Sequence, residues 1–119
     1  MMTTDITVRF KREALHYWAH APDSVGFLRH PHRHEFHVAV TIRVEHDDRE
    51  LEFFLFRNEC AALCTIPRGL DAPAVPKSCE AFAKELIAPL IKLYNRPLTV
   101  VVSEDGENAA TVTFTPTQQ

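Results

Sequence analysis

His30-Pro31-His32-Arg33-His34-Glu35-Phe36-His37-Val38-Ala39-Val40-Thr41-Ile42-Arg43-Val44-Glu45 is the stretch whose reading decides the fold. From Phe36 onward the even positions are Phe36, Val38, Val40, Ile42 and Val44, and the odd positions are Glu35, His37, Ala39, Thr41, Arg43 and Glu45. A period of two is that of a β-strand with one buried face. Followed backward, the apolar parity lands on His34 and His32, which puts two imidazoles at the end of the core-facing side. Residues i and i+2 on a strand are about 6.6 Å apart, close enough for two rings to swing onto one metal ion. Imidazole is the commonest zinc ligand, but two ligands do not make a site. Without a third ligand, the pair reads equally well as a polar strand end that binds metal adventitiously.

Working toward the N-terminus, Ile6, Val8 and Phe10 alternate with Thr7, Arg9 and Lys11, which predicts a first strand with the same even parity. Arg12 breaks the parity, so a bulge is expected there, and it resumes at Ala14 and His16. His16 is therefore the natural third ligand; its plain alternative is a core histidine bonded to a backbone carbonyl. Residues 19–31, with two prolines, a glycine and an aspartate, read as a long loop joining two antiparallel strands.

Toward the C-terminus, His46-Asp47-Asp48-Arg49 reads as a turn, and Leu51 to Phe56 as a short further strand. Arg57 to Cys64 reads as helix, with Cys60 and Cys64 one turn apart as core filler. Thr65 to Lys77 holds three prolines and a glycine and reads as loop. Ser78 is placed to cap a second helix, with Glu80 in its first turn and an apolar stripe of Phe82, Ala83, Leu86, Ile87, Leu90 and Ile91. Pro89 predicts a kink at the expense of the Glu85 carbonyl. Leu98, Val100 and Val102 begin another strand, Asp105-Gly106 marks a hairpin turn, and Ala110, Val112 and Phe114 return. Consecutive helices between strand pairs favour an α+β fold, an antiparallel sheet with helices on one face. Glu104 closes the apolar face of its strand as His16 and His34 close theirs. A carboxylate there costs energy unless it pairs or binds something; the alternative is a solvated strand end in the acidic turn 104–107.

Composition narrows the function. The 119 residues predict one domain spanning 1–119. The net charge of −3, without a block of like charge, makes nucleic acid and anionic membrane poor partners. Three cysteines without a C-x-x-C pair argue for a reducing compartment. No apolar leader or membrane-length run is visible, so a cytoplasmic protein is expected. Only three glycines occur, too few for a glycine-rich phosphate loop. That scarcity and the consecutive helices also argue against a cupin, another fold that uses His-x-His.

Taken in order, these motifs resemble the 6-pyruvoyltetrahydropterin synthase and 6-carboxytetrahydropterin synthase family. That family's His-Gly-His-aromatic pattern is present here as His32-Arg33-His34-Glu35-Phe36, its Pro-Thr-x-Glu helix start as Lys77-Ser78-Cys79-Glu80, and its Val-x-Glu-Thr strand end as Val102-Ser103-Glu104-Asp105. The resemblance runs from Phe10 to Phe114. It implies the tunnelling fold or T-fold, an antiparallel four-stranded sheet with two consecutive helices on one face, whose subunits join through their sheets as trimers or hexamers. It further implies Zn2+ held by His16, His32 and His34. A pterin or purine-like ring would be anchored by Glu104, with Ser78 lining the pocket. Three imidazoles leave zinc one open position, and a carboxylate can accept two N–H bonds from a 2-aminopyrimidinone edge. Three positions depart from the family: its catalytic cysteine is replaced by Leu28, the histidine of its Asp-His pair is Ala72 in Leu70-Asp71-Ala72, and the glycine between the paired histidines is Arg33. A proton-moving group beside the metal would then have to be Asp71, His30 or Asp23, in that order. Zinc-dependent catalysis, zinc and heterocycle binding without turnover, and a structural protein with incidental histidines are the readings this leaves.

Overall fold

The computed structural model describes residues 1–117. Strands β1 (Thr4–His16) and β2 (His32–Val44) are joined through a 3-10 segment at Asp23–Arg29. Helices α1 (Phe53–Leu63) and α2 (Cys79–Tyr94) follow, then strands β3 (Leu98–Glu104) and β4 (Asn108–Phe114). The four strands form one antiparallel sheet in the order β1-β2-β3-β4. This is the α+β architecture expected from the alternation and the consecutive helices.

The even parity is the buried face throughout. Val8 and Ala14, then Phe36, Val38, Val40 and Ile42, then Leu98, Val100 and Val102 all lie in one core with Phe56, Cys60, Phe82, Ala83, Leu86 and Leu90 from the helices. Both helices therefore cover the same side of the sheet. Each large side chain fully buried there contributes about 1.5–3 kcal/mol. Ser78 caps α2 as expected, its Oγ accepting from Ala81 N at 3.1 Å, and Asn95 ends the helix in the left-handed conformation at φ 48°. α2 is unbroken across Pro89. Asp105 and Gly106 take φ 57° and 73° in the β3–β4 turn, the pair of positive values that an Asp-Gly hairpin turn uses.

Two local expectations are corrected. Leu51 to Phe56 is not a strand: α1 begins at Phe53, because the Glu52 carboxylate accepts from Phe54 N (2.8 Å) and Leu55 N (3.1 Å) and supplies the partners that a helix start lacks. The buried residues of α1 are Phe56 and Cys60, one helical turn apart. A short apolar run broken only at Glu52 does not distinguish the two periods. Arg12 makes no bulge either, since the β1–β2 register is continuous from Thr4↔Val44 to His16↔His32. Arg12 keeps the core-face parity and sends its guanidinium to the carbonyls of Cys64 (3.0 Å), Ile66 (2.8 Å) and Ala61, the last turn of α1 and the residues after it. A cation suits the negative end of a helix.

Candidate metal centre

The unbroken register delivers the histidines. His16 and His32 are directly opposed across β1 and β2, and His34 follows two residues along on the same face. Their ring centroids lie 4.5 Å (His16–His32), 5.2 Å (His16–His34) and 5.1 Å (His32–His34) apart. One ring nitrogen from each lies within 4.8 Å of the other two, so the three could hold a metal ion. Phe36, fully buried, sits under the cluster with its ring 5.1 Å from His16 and 5.7 Å from His34.

Each imidazole is oriented from outside. The Nδ1 atoms of His16, His32 and His34 lie 2.8, 2.8 and 2.7 Å from the Lys77 carbonyl, the His30 carbonyl and Asp105 Oδ2. Carbonyl and carboxylate oxygens only accept, so Nδ1 carries the proton in all three and Nε2 is left as the lone-pair nitrogen. The Nε2 atoms of His16 and His34 are buried and have no hydrogen-bond partner among the described residues. A buried polar atom left unpaired costs about 1–3 kcal/mol, which a metal–ligand bond would offset. Burial also holds the His16 ring below the usual histidine range, against the opposing pull of the Lys77 carbonyl. That keeps it neutral, the form that ligates. The hydrogen bond from His34 holds Asp105 below the usual carboxylate range.

Lys77 reaches His16 because residues 65–77 are tied back to β1, with Tyr17 N donating to Val75 O at 3.1 Å and Val75 N to Leu15 O at 3.4 Å. Glu104 enters from β3, where it pairs with Phe36 and so stands diagonal to His34. Its Oε2 is 3.2 Å from His34 Nε2, its Oε1 is 3.6 Å from His16 Nε2, and Oε1 accepts from Cys79 Sγ at 3.6 Å. Burial, reinforced by the Glu104 charge, pushes the Cys79 thiol up to about 12, so it stays a protonated donor.

A cavity of about 590 Å³ opens beside the cluster, its lining including His16, His32, Trp18, Leu28, Cys79 and Glu104. A smaller hollow of about 230 Å³ at the far end of the sheet, around Thr4 and Phe53, holds none of these groups. No protein-family model matches the chain, and no curated protein matches it either.

The remaining expected residues divide. Ser78 lines the cavity, with its hydroxyl engaged at the start of α2. Leu28 also lines it, so the position where the resembled family carries its cysteine presents an apolar side chain. Asp71 is exposed and is not among the lining residues; His30 is exposed and contributes its carbonyl to His32; Asp23 is exposed and pairs with Arg29 at 2.6 Å. Three contributors were missed. Asp105 was read only as a turn residue, although an acid one position past a strand-face carboxylate is a signal worth testing. Cys79, the buried first residue of α2, carries no signal along the chain for its contact with Glu104. The Lys77 carbonyl is main chain and carries no sequence signal.

Proposed function

We propose that this chain is a zinc-binding protein of the 6-pyruvoyltetrahydropterin and 6-carboxytetrahydropterin synthase type, acting on a pterin or a related purine-derived molecule. The observation that supports it most is the outward bonding of all three Nδ1 atoms, which turns three Nε2 lone pairs inward beside a cavity. Three neutral imidazoles suit zinc and the later divalent transition metals, whereas magnesium and calcium prefer oxygen. When bound, zinc would act as a Lewis acid on a substrate oxygen.

The residues of the chain supply the rest. A volume of about 590 Å³ falls in the range of small-molecule pockets and admits a bicyclic ring. Glu104 accepts N–H bonds from the amino-pyrimidinone edge, and the Cys79 thiol holds one of its oxygens in place. Ser78 borders the ring from the start of α2. The thirteen-residue edge strand β1 and the shorter β4 leave two open edges to the sheet. Pairing those edges between copies in a trimer or hexamer would remove that liability, and a neighbouring copy could then bring Asp71 or another acid to the metal. Three free cysteines suit a reducing, cytoplasmic setting.

Leu28 on the cavity wall favours a second reading, zinc and heterocycle binding without turnover, because a hydrocarbon cannot move a proton. Incubating zinc-loaded protein with dihydroneopterin triphosphate and analysing the products separates the two. Slow conversion with retained binding is expected, and binding with no conversion at all would favour the second reading. Conversion at rates of about 1 s⁻¹ or more would restore the catalytic reading outright, and protein that binds neither metal nor pterin would end both.

A further inference from the structure

We infer that Glu104 is the fourth ligand of the metal in the resting protein, and that a bound ring opens the metal by drawing this carboxylate away. The inference rests on the three-histidine metal reading above and adds a carboxylate gate to it.

With each Nδ1 donating outward, the inward atoms of His16, His34 and Glu104 are all lone-pair acceptors. Acceptors packed this closely repel one another unless a cation sits between them. Bonds of about 2.0–2.2 Å from zinc to nitrogen and oxygen make the edge of a tetrahedron about 3.3–3.6 Å. Glu104 Oε2 stands 3.2 Å from His34 Nε2, and Oε1 stands 3.6 Å from His16 Nε2. The carboxylate is therefore at the separation of a neighbouring vertex. The Cys79 thiol engages Oε1 at 3.6 Å, which leaves Oε2, the oxygen nearer His34, for the metal. The backbone fixes the approach. Asp105 N donates to the Glu35 carbonyl at 2.8 Å and Asp105 Oδ1 accepts from Glu35 N at 2.8 Å, which locks the end of β3 to the strand that carries His32 and His34.

One carboxylate then has two competing uses. A 2-aminopyrimidinone edge offers two parallel N–H donors, which engage both oxygens of a carboxylate at once. Engaging them withdraws Oε2 from the metal and frees the fourth position for an oxygen of the same molecule. Small anions without that edge cannot open the site, so the gate makes metal access conditional on the ring.

Cobalt(II), whose visible spectrum reports coordination, tests this in the wild type, Glu104→Ala, the isosteric Glu104→Gln and His32→Ala. The wild type is expected to give a four-coordinate spectrum unchanged by millimolar azide. Glu104→Ala is expected to bind cobalt at least about tenfold more weakly, since losing even an outer-shell partner costs 10–100-fold, and to shift its spectrum on adding azide. Glu104→Gln, which keeps shape and volume, should respond to azide in the same direction, so a misfolded alanine variant cannot decide the matter. Equal affinity in all three Glu104 forms, or an azide response in the wild type matching that of the variants, would overturn the carboxylate ligand while leaving the histidines standing. Wild-type protein that binds no cobalt, or binds it as well after His32→Ala, would overturn the metal reading and the gate together.

Discussion

Two half-buried carboxylates in this molecule have opposite surroundings. Glu50 is held on both oxygens by Arg96, at 2.8 Å to Nη1 and 2.7 Å to Nη2, and accepts from Glu45 N at 2.8 Å. Glu104 faces two imidazole nitrogens at 3.2 and 3.6 Å, and among the described residues its one hydrogen-bond donor is a thiol at 3.6 Å. In the first, a bidentate guanidinium satisfies both carboxylate oxygens and fastens the β2–α1 connection to the start of β3, although Arg96 Nε is itself buried without a partner among the described residues. The second brings lone-pair acceptors together beside three imidazoles that could hold a metal ion. A carboxylate matched by donors on both oxygens is structure, and one set among converging acceptors belongs to a candidate site.

That contrast can be broken or sharpened by experiment. The largest effect is expected at His32. His32→Ala should lower zinc affinity by more than about a hundredfold, an outer-shell loss alone being worth 10–100-fold, while metal-free stability stays nearly unchanged. Isothermal titration together with thermal melts of the metal-free protein checks both halves, and a large loss of metal-free stability would make the histidines a structural cluster instead. Next, zinc at a hundred times its dissociation constant should stabilise the fold by about 2.7 kcal/mol, read as a rise in melting temperature; no rise with added zinc would remove the difference between the two carboxylates. Asp105→Asn keeps the positive-φ turn but replaces the carboxylate that orients His34, and should weaken zinc about tenfold, or about 1.4 kcal/mol. An unchanged affinity would show that the His34 tautomer is set without Asp105.

The smallest effect is expected at the Glu50–Arg96 pair. Arg96 holds Glu50 below the usual carboxylate range. The folded state therefore favours the ionised form. Its contribution is present above the ordinary carboxylate value and is lost as the pH falls through the depressed one. Glu50→Gln should cost about 1 kcal/mol near neutral pH, in line with a partly exposed ion pair. The gap should close in acid, and zinc affinity should not move. Denaturant midpoints for the two proteins at neutral and acid pH measure it, and a gap that widened in acid would reverse the assignment.

Much of this was legible along the chain. The alternation in β2 put His32, His34 and Phe36 on one face, the alternation in β1 put His16 on the matching face, and that in β3 did the same for Glu104. The Ser78 cap and the Asp105-Gly106 turn were equally plain, because caps and turns are set by a few adjacent residues. The start of α1 was not legible: Leu51 to Phe56 is apolar except at Glu52, and the choice of helix lay with that carboxylate and the packing of Phe56. Arg12 looked like an interruption because its partners, the carbonyls at the end of α1, are about fifty residues away. Asp71 looked like a substitute base by its place in the chain, and it lies outside the cavity lining.

The chain by itself determined which side chains share a face, since strand parity is a local property with a period of two residues. Only the tertiary structure decided which of them meet. The β1–β2 register sets His16 against His32, the return of residues 65–77 brings the Lys77 carbonyl to His16, and the β2–β3 pairing carries Glu104 to within 3.2 Å of His34. Those are contacts between segments far apart in sequence, fixed by the burial of one common core and not by any residue's immediate neighbours.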